Sequence, residues 1–141
     1  MKKLLAFLTA VICLFSFAAC GKSNGAGKTV ATVVKEETLV VITVEEVDGE
    51  PTLLAVMEKL QADGQLTFTA DGTGMVTSIE GKENPADWSA CWMLYTTDSE
   101  MANTEWGTVE YQGESYGSAV VGANALTVLA GESYIWSYQT F

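Results

Sequence analysis

The chain has 141 residues, 18 of them acidic against seven lysines, with no arginine and no histidine, for a formal net charge of −11. That balance excludes nucleic acid as a partner, because phosphate neutralisation needs Lys and Arg. Without imidazole, Ser or Cys triads and the usual zinc sites cannot be built either.

The first segment, "MKKLLAFLTAVICLFSFAAC", places Lys2 and Lys3 before an apolar run from Leu4 to Phe17, then Ala18-Ala19-Cys20. A charged start, an apolar stretch and small residues before a cleavage point mark a secretory signal. The run is short for a membrane-spanning helix, which needs about 20 residues. Its ending resembles the bacterial lipoprotein signal, which implies cleavage after Ala19 and acylation (palmitate) of Cys20. An acyl chain contributes roughly 0.8 kcal/mol per buried CH₂, so the expected place of the mature protein is outside the cytoplasm, tethered to the bacterial membrane. An anionic lipid surface repels the acidic domain, which leaves attachment to the anchor.

"CGKSNGAGKT" follows and ends like a phosphate-binding loop. The pattern G-x-x-x-x-G-K-[ST] puts its first glycine at position 22, which is Lys22. A phosphate loop also opens a helix, whereas "TVATVV" is β-branched and strand-like. Residues 20–37 are therefore read as lipidated cysteine and flexible tether, residues 1–19 as the signal, and residues 38–141 as one domain.

Along that domain, "TVATVVKEETLVVITVEEV" (29–47) reads as one long or two short strands. "PTLLAVMEKLQAD" carries Leu53, Leu54, Val56, Met57 and Leu60 on one helical face. Pro51 or Thr52 starts this helix and Gly64 suits its end. "LTFTADGTGMVTSIEG" predicts two short strands around Asp71-Gly72. "NPAD" is a turn, "WSACWMLYTT" an aromatic strand, and Asp98–Gly117 a polar, glycine-punctuated stretch. "NALTVLAGESYIWSYQTF" predicts two closing strands joined at Ala130-Gly131-Glu132. The order predicts a small α+β domain, with one helix packed on a mostly antiparallel sheet.

Four of these segments, "PTLLAVMEKL", "GMVTSIEG", "WSACWMLY" and "LAGESYIWSY", follow one another as in a known family. Over residues 38–141 the chain resembles the transcobalamin-like C-terminal domain found in bacterial lipoproteins and surface proteins, with Glu132 where that family has Asp. In animal cobalamin carriers the related β-domain forms half of a clamp over the vitamin. The helical half has no counterpart among these segments. The resemblance implies ligand contacts at Val76, Leu94 and Met101, and a packing role for Trp92 between helix and sheet. It implies a corrinoid as possible ligand, with no resident cofactor, and delivery to an importer.

Read from the residues alone, Trp88 and Trp92 share a strand face with Leu94. Trp106, in a polar stretch with no evident core to join, is a recognition candidate. Asp98, Ser99 and Asn103 offer acceptors for ligand amide groups. Cys91 has no partner for a disulfide and reads as a buried, inert residue. "DGTG" and "DSE" lack EF-hand spacing, so no calcium or other metal site is expected. The functional expectation is a non-enzymatic, lipid-anchored binding protein for a small molecule. The alternative is a cell-surface module that recognises a protein or a glycan.

Overall fold

The computed structural model describes residues 27–141. The expected signal segment (1–19) and residues 20–26 of the expected tether, Cys20 among them, lie outside the described residues. Gly27-Lys28-Thr29 lead into a strand, not a helix. The Lys28 ammonium pairs with the Glu46 carboxylate, while the Lys28 amide donates to Asp48 Oδ2 at 2.9 Å. No helix among the described residues is long and apolar enough to cross a membrane.

Strands β1 (Thr29–Lys35) and β2 (Leu39–Val47) form an antiparallel pair whose register slips between Val30 and Ala31. Residues 29–35, placed in the tether by the boundary at 38, thus belong to the sheet. Strand β2 alternates as a two-sided strand must: Val40, Ile42 and Val44 enter the main core, while Val41 faces a second cluster. Helix α1 (Leu53–Ala62) follows a turn at Gly49, with Thr52 Oγ1 accepting from the Ala55 amide at 3.3 Å. Two further amides at its start donate to distant carbonyls, Leu53 to Leu126 at 2.8 Å and Leu54 to Ala123 at 2.9 Å. These bonds satisfy groups the helix itself leaves open. At the other end Asp63 caps the helix, and Gly64 takes the left-handed conformation that glycine tolerates, at φ 74°.

Strands β3 (Phe68–Ala70), β4 (Val76–Ile79) and β5 (Lys82–Glu83) make a small antiparallel sheet. Strands β6 (Ala90–Thr96), β7 (Ala102–Tyr111), β8 (Glu114–Ala119) and β9 (Ser133–Thr140) join β1 and β2 in a six-stranded sheet ordered β1-β2-β9-β6-β8-β7. Its centre is β9, which pairs with β2 on one side and with β6 along seven residues on the other. The buried faces of β2, β6 and β9 meet Leu53, Val56, Met57 and Leu60 of the helix, and Phe68, Val76 and Ile79 of the small sheet. On the opposite face, Val41, Tyr95, Val109 and Ile135 form a second cluster, flanked by Tyr111 and Tyr116.

The architecture corrects the expected α+β class. Nine strands and one ten-residue helix among the described residues make a β-rich, antiparallel fold, not an α+β domain organised around a packed helix. Two segments depart from their expected course, and the first of them supplies the added strands. Asp98–Gly117, expected to be irregular, supplies β7 and most of β8. Half of β7 is exposed and only Val109 is buried, so it carries no apolar alternation to mark it. Residues 120–132, expected to include a strand, run as turns, with one isolated bridge from Thr127 to Thr52. Trp88 is likewise off the strand. It precedes β6 with φ 57° and is 54% exposed, so it shares no buried face with Trp92.

Candidate functional site

Where the turn before β4 approaches the middle of β6, an open groove of about 430 Å³ is formed. Its walls are the Thr73–Val76 segment, Trp92–Leu94 of β6, residues 118–124 and Trp136 of β9. The turn is fixed by Asp71, whose Oδ1 accepts from the Thr73 hydroxyl at 2.6 Å, the Thr73 amide at 2.8 Å and the Met75 amide at 3.1 Å. These donors, the Thr73 hydroxyl first, hold the Asp71 carboxyl below the ordinary carboxylate range. Asn124 ties the opposite wall to the same turn by donating from Nδ2 to the Thr73 carbonyl at 3.0 Å. Gly74 sits in this joint at φ 83°, and a Cβ there would stand 2.7 Å from Asn124 Cβ. That closeness and the left-handed backbone together require glycine.

Val76 and Leu94 both line the groove, so the structure brings together the first two expected ligand contacts. At 3% and 8% exposure they form its buried floor, because both also pack into the main core. Met101 is half-buried against that core but is outside the groove lining. Trp106 stands on β7, not in a loop, where the pairing with β8 is interrupted between Asn103 and Thr108, and its ring is 62% exposed.

The three expected polar anchors do not reach the groove. Asp98 is buried in a turn, where its amide donates to Thr96 Oγ1 and its Oδ1 accepts from the Glu100 amide at 3.0 Å. Asn103 Oδ1 accepts from the Glu105 amide at 2.8 Å and so shapes the interruption in β7. Ser99 is exposed on the neighbouring turn. Among the described residues, the polar side chains that line the groove are Thr73, Ser118 and Asn124, and no charged side chain does.

Trp92 lines the groove and is 5% exposed. Its Nε1–H donates to the Lys82 carbonyl at 2.8 Å, and its ring meets Tyr138 edge to face with centroids 5.3 Å apart. The ring therefore sits between the six-stranded sheet and the small sheet, with Lys82 Nζ lying 4.7 Å from the Tyr138 centroid. Cys91 is partly exposed, with Sγ 3.5 Å from Met93 Sδ. Burial pushes its thiol above the ordinary value, which disfavours the thiolate a nucleophile needs.

Sequence reasoning missed Trp136, Ser118 and Asn124 as groove residues. Trp136 reads simply as an inward residue of an alternating strand. Ser118 and Asn124 belong to segments whose course cannot be read from apolar periodicity. No group of three or more His, Cys, Asp or Glu suited to holding a metal occurs among the described residues. No family model, curated protein or solved structure matches this chain.

Proposed function

We propose that this protein is an acyl-anchored, extracytoplasmic lipoprotein that binds a small amphipathic ligand in the groove over Val76 and Leu94 and passes it to a membrane importer. The observation that carries the reading is the meeting of those two side chains, far apart in sequence, on the floor of one open, uncharged groove. Its volume of about 430 Å³ falls in the range of small-molecule sites, which are mostly apolar with few polar groups. A corrinoid, the ligand implied by the transcobalamin-like resemblance, is the first molecule to test. It is larger than the groove and would seat one edge there. With neither histidine nor arginine in the chain, the proposed action is binding and transfer, not catalysis. The N-terminal signal and Cys20 support the location.

The experiment is to incubate the full-length protein, held in detergent, with cyanocobalamin and pass it through a gel-filtration column. The reading expects the red chromophore to travel with the protein. A colourless protein peak with several corrinoids removes the corrinoid assignment. A second reading, a surface module for a protein or glycan, is favoured by Trp106, whose exposed ring lies on edge strand β7 outside the groove. Exposed aromatic faces on a polar background suit such contacts. Loss of glycan or cell-surface binding in Trp106→Ala, with an intact groove, supports that reading instead.

A further inference from the structure

The outer strand of the six-stranded sheet is shaped to display one ring. Asn103 pairs with Ser118 and Thr108 with the adjacent Gly117, so Thr104, Glu105, Trp106 and Gly107 bulge out of the β7–β8 ladder. The bulge is held in place. Asn103 Oδ1 accepts from the Glu105 amide, and Gly107 takes φ 123°. Across the ladder, a Cβ on Gly117 would stand 3.0 Å from the Asn103 carbonyl carbon and the Thr104 nitrogen, so a larger residue there would crowd the bulge. Bulges at sheet edges re-aim side chains, and here the result is a tryptophan 62% exposed. Beyond the bulge, β7 has no neighbour on its outer side among the described residues. The Gln112-Gly113 turn closes on the Tyr111–Glu114 pair. In a two-residue hairpin that closing pair is hydrogen-bonded, so Val109 also bonds to β8, and the backbone groups of Thr108 and Glu110 point to the open edge. Both residues are exposed.

The charge of this hairpin is of one sign. It carries Glu105, Glu110 and Glu114 and no lysine, and strands β6 and β9 next across the sheet carry no charged residue. The ion pairs among the described residues join Lys28, Lys35 and Lys59 to carboxylates elsewhere. After Lys82 the sequence has no basic residue at all. Natural sheet edges are often guarded by lysine or proline, and β7 has neither. Its carboxylates repel a second copy of this acidic chain and attract a cationic strand. The exposed indole adds to that preference, because its face attracts Lys and Arg cations and because tryptophan is enriched among the residues that dominate protein interfaces.

We propose that the β7 edge, with Trp106, Glu105 and Glu110, docks an extended Lys- or Arg-bearing segment of a partner protein. The segment adds a strand beside residues 108–111 and lays a cationic side chain on the Trp106 ring. This rests on the surface-module reading of Trp106, chooses protein over glycan, and is independent of the groove.

The probe is the peptide acetyl-(Lys-Thr)₄-amide, with acetyl-(Glu-Thr)₄-amide as control and tetra-N-acetylchitotetraose as the glycan. The full-length protein, labelled with ¹⁵N at tryptophan, is held in phosphatidylcholine nanodiscs and titrated by NMR in 0.15 M salt, where exposed charges more than about 8 Å apart are largely screened. The chain has four tryptophans, and the Trp106 indole signal is assigned by its loss in Trp106→Ala. Affinities are read from the fluorescence anisotropy of the same peptides carrying a dye. The lysine peptide is expected to move the Trp106 indole signal and to leave those of Trp92 and Trp136 in place. Trp106→Ala should weaken its affinity roughly two- to fivefold, the value of an exposed cation–π contact. Glu105→Gln with Glu110→Gln should weaken it roughly threefold or more. Glu36→Gln with Glu37→Gln, on the β1–β2 turn at the opposite side of the sheet, should change it less than about twofold.

Equal losses in the two double variants mean that the peptide follows net charge alone, which overturns the docking edge. Unchanged affinity in Trp106→Ala or in the Glu105 and Glu110 variant does the same. Equal binding of the glutamate peptide overturns the basic class. A Trp106 signal moved by the glycan and not by the lysine peptide overturns the choice of partner and leaves a glycan module standing. A Trp106 signal unmoved by all three probes overturns both the inference and the surface-module reading. If Trp106→Ala does not fold, Trp106→Phe supplies the assignment and the two double variants decide.

Discussion

Replacing Trp92 with alanine tests how the two sheets are held together. The ring is 5% exposed, and an indole of this kind buries on the order of 150–250 Å². At roughly 25 cal/mol per Å² that burial contributes about 4–6 kcal/mol before any relaxation. The substitution also leaves the Lys82 carbonyl without its indole donor and removes the edge-to-face contact with Tyr138. Trp-to-Ala changes in cores cost roughly 3–5 kcal/mol, and the bookkeeping here points to the upper half of that range. For a domain of this size, at roughly 4 °C per kcal/mol, the melting temperature should fall by roughly 16–20 °C. The assay is thermal unfolding followed by near-ultraviolet circular dichroism, with Trp88→Ala as control. Trp88 is 54% exposed and should shift stability by no more than about 0.5 kcal/mol. A Trp92→Ala protein that melts within 3 °C of the parent refutes the assignment of this ring to the core. Lost ligand binding in such a protein would place the ring in the site alone.

Leu94→Ala should lower stability by about 2–5 kcal/mol and weaken ligand capture, since this side chain serves core and groove together; Leu94→Asp should unfold the domain, as a thermal melt will show. Gly74→Ala should cost about 1–2 kcal/mol and loosen the groove rim, because its φ is 83° and its Cβ would collide with Asn124; denaturant unfolding and the Asn124 side-chain resonances report both effects. The lowered Asp71 pKa means that the turn's bonds contribute fully above the unfolded carboxylate value near ~3.9 and are lost as pH falls through the folded value; the Thr73 and Met75 amide resonances should therefore move only below about pH 4, and should be flat in that range in Asp71→Ala. Cys20→Ala should abolish incorporation of labelled palmitate and release the protein from the membrane fraction or leave it held by an uncleaved signal; retained label would contradict the lipoprotein assignment.

The parts of the fold that were legible in sequence are those where one face is dry and local chemistry agrees with it. The helix was marked by Leu53, Val56, Met57 and Leu60 and by its Thr52 and Gly64 ends, and strands β2, β4, β6 and β9 by their β-branched and aromatic residues. The β7–β8 hairpin left no such trace. Its turn is Gln112-Gly113, both at positive φ, where Asn-Gly or Asp-Gly would have signalled a two-residue hairpin. Glu80-Gly81 makes the same turn between β4 and β5. The 120–132 segment resembled a strand because Leu126 and Val128 are apolar, yet they are buried in a loop bonded to the helix start. In the site, Val76 and Leu94 were named from the family resemblance, but their burial depends on tertiary packing. Asp98 and Asn103 looked like free acceptors because sequence does not reveal that their oxygens cap their own local turns.

Filling the groove is the most direct test of ligand binding there. Ala119 ends β8, is half-buried and lines the groove, so Ala119→Phe places a ring in the space between the 118–124 wall and Leu94. Equilibrium titration of the full-length protein and this variant with a ligand that binds the parent should show at least a tenfold loss of affinity. The melting temperature should stay within about 4 °C of the parent, equivalent to about 1 kcal/mol. Unchanged affinity in a folded Ala119→Phe protein would contradict the groove as the binding site.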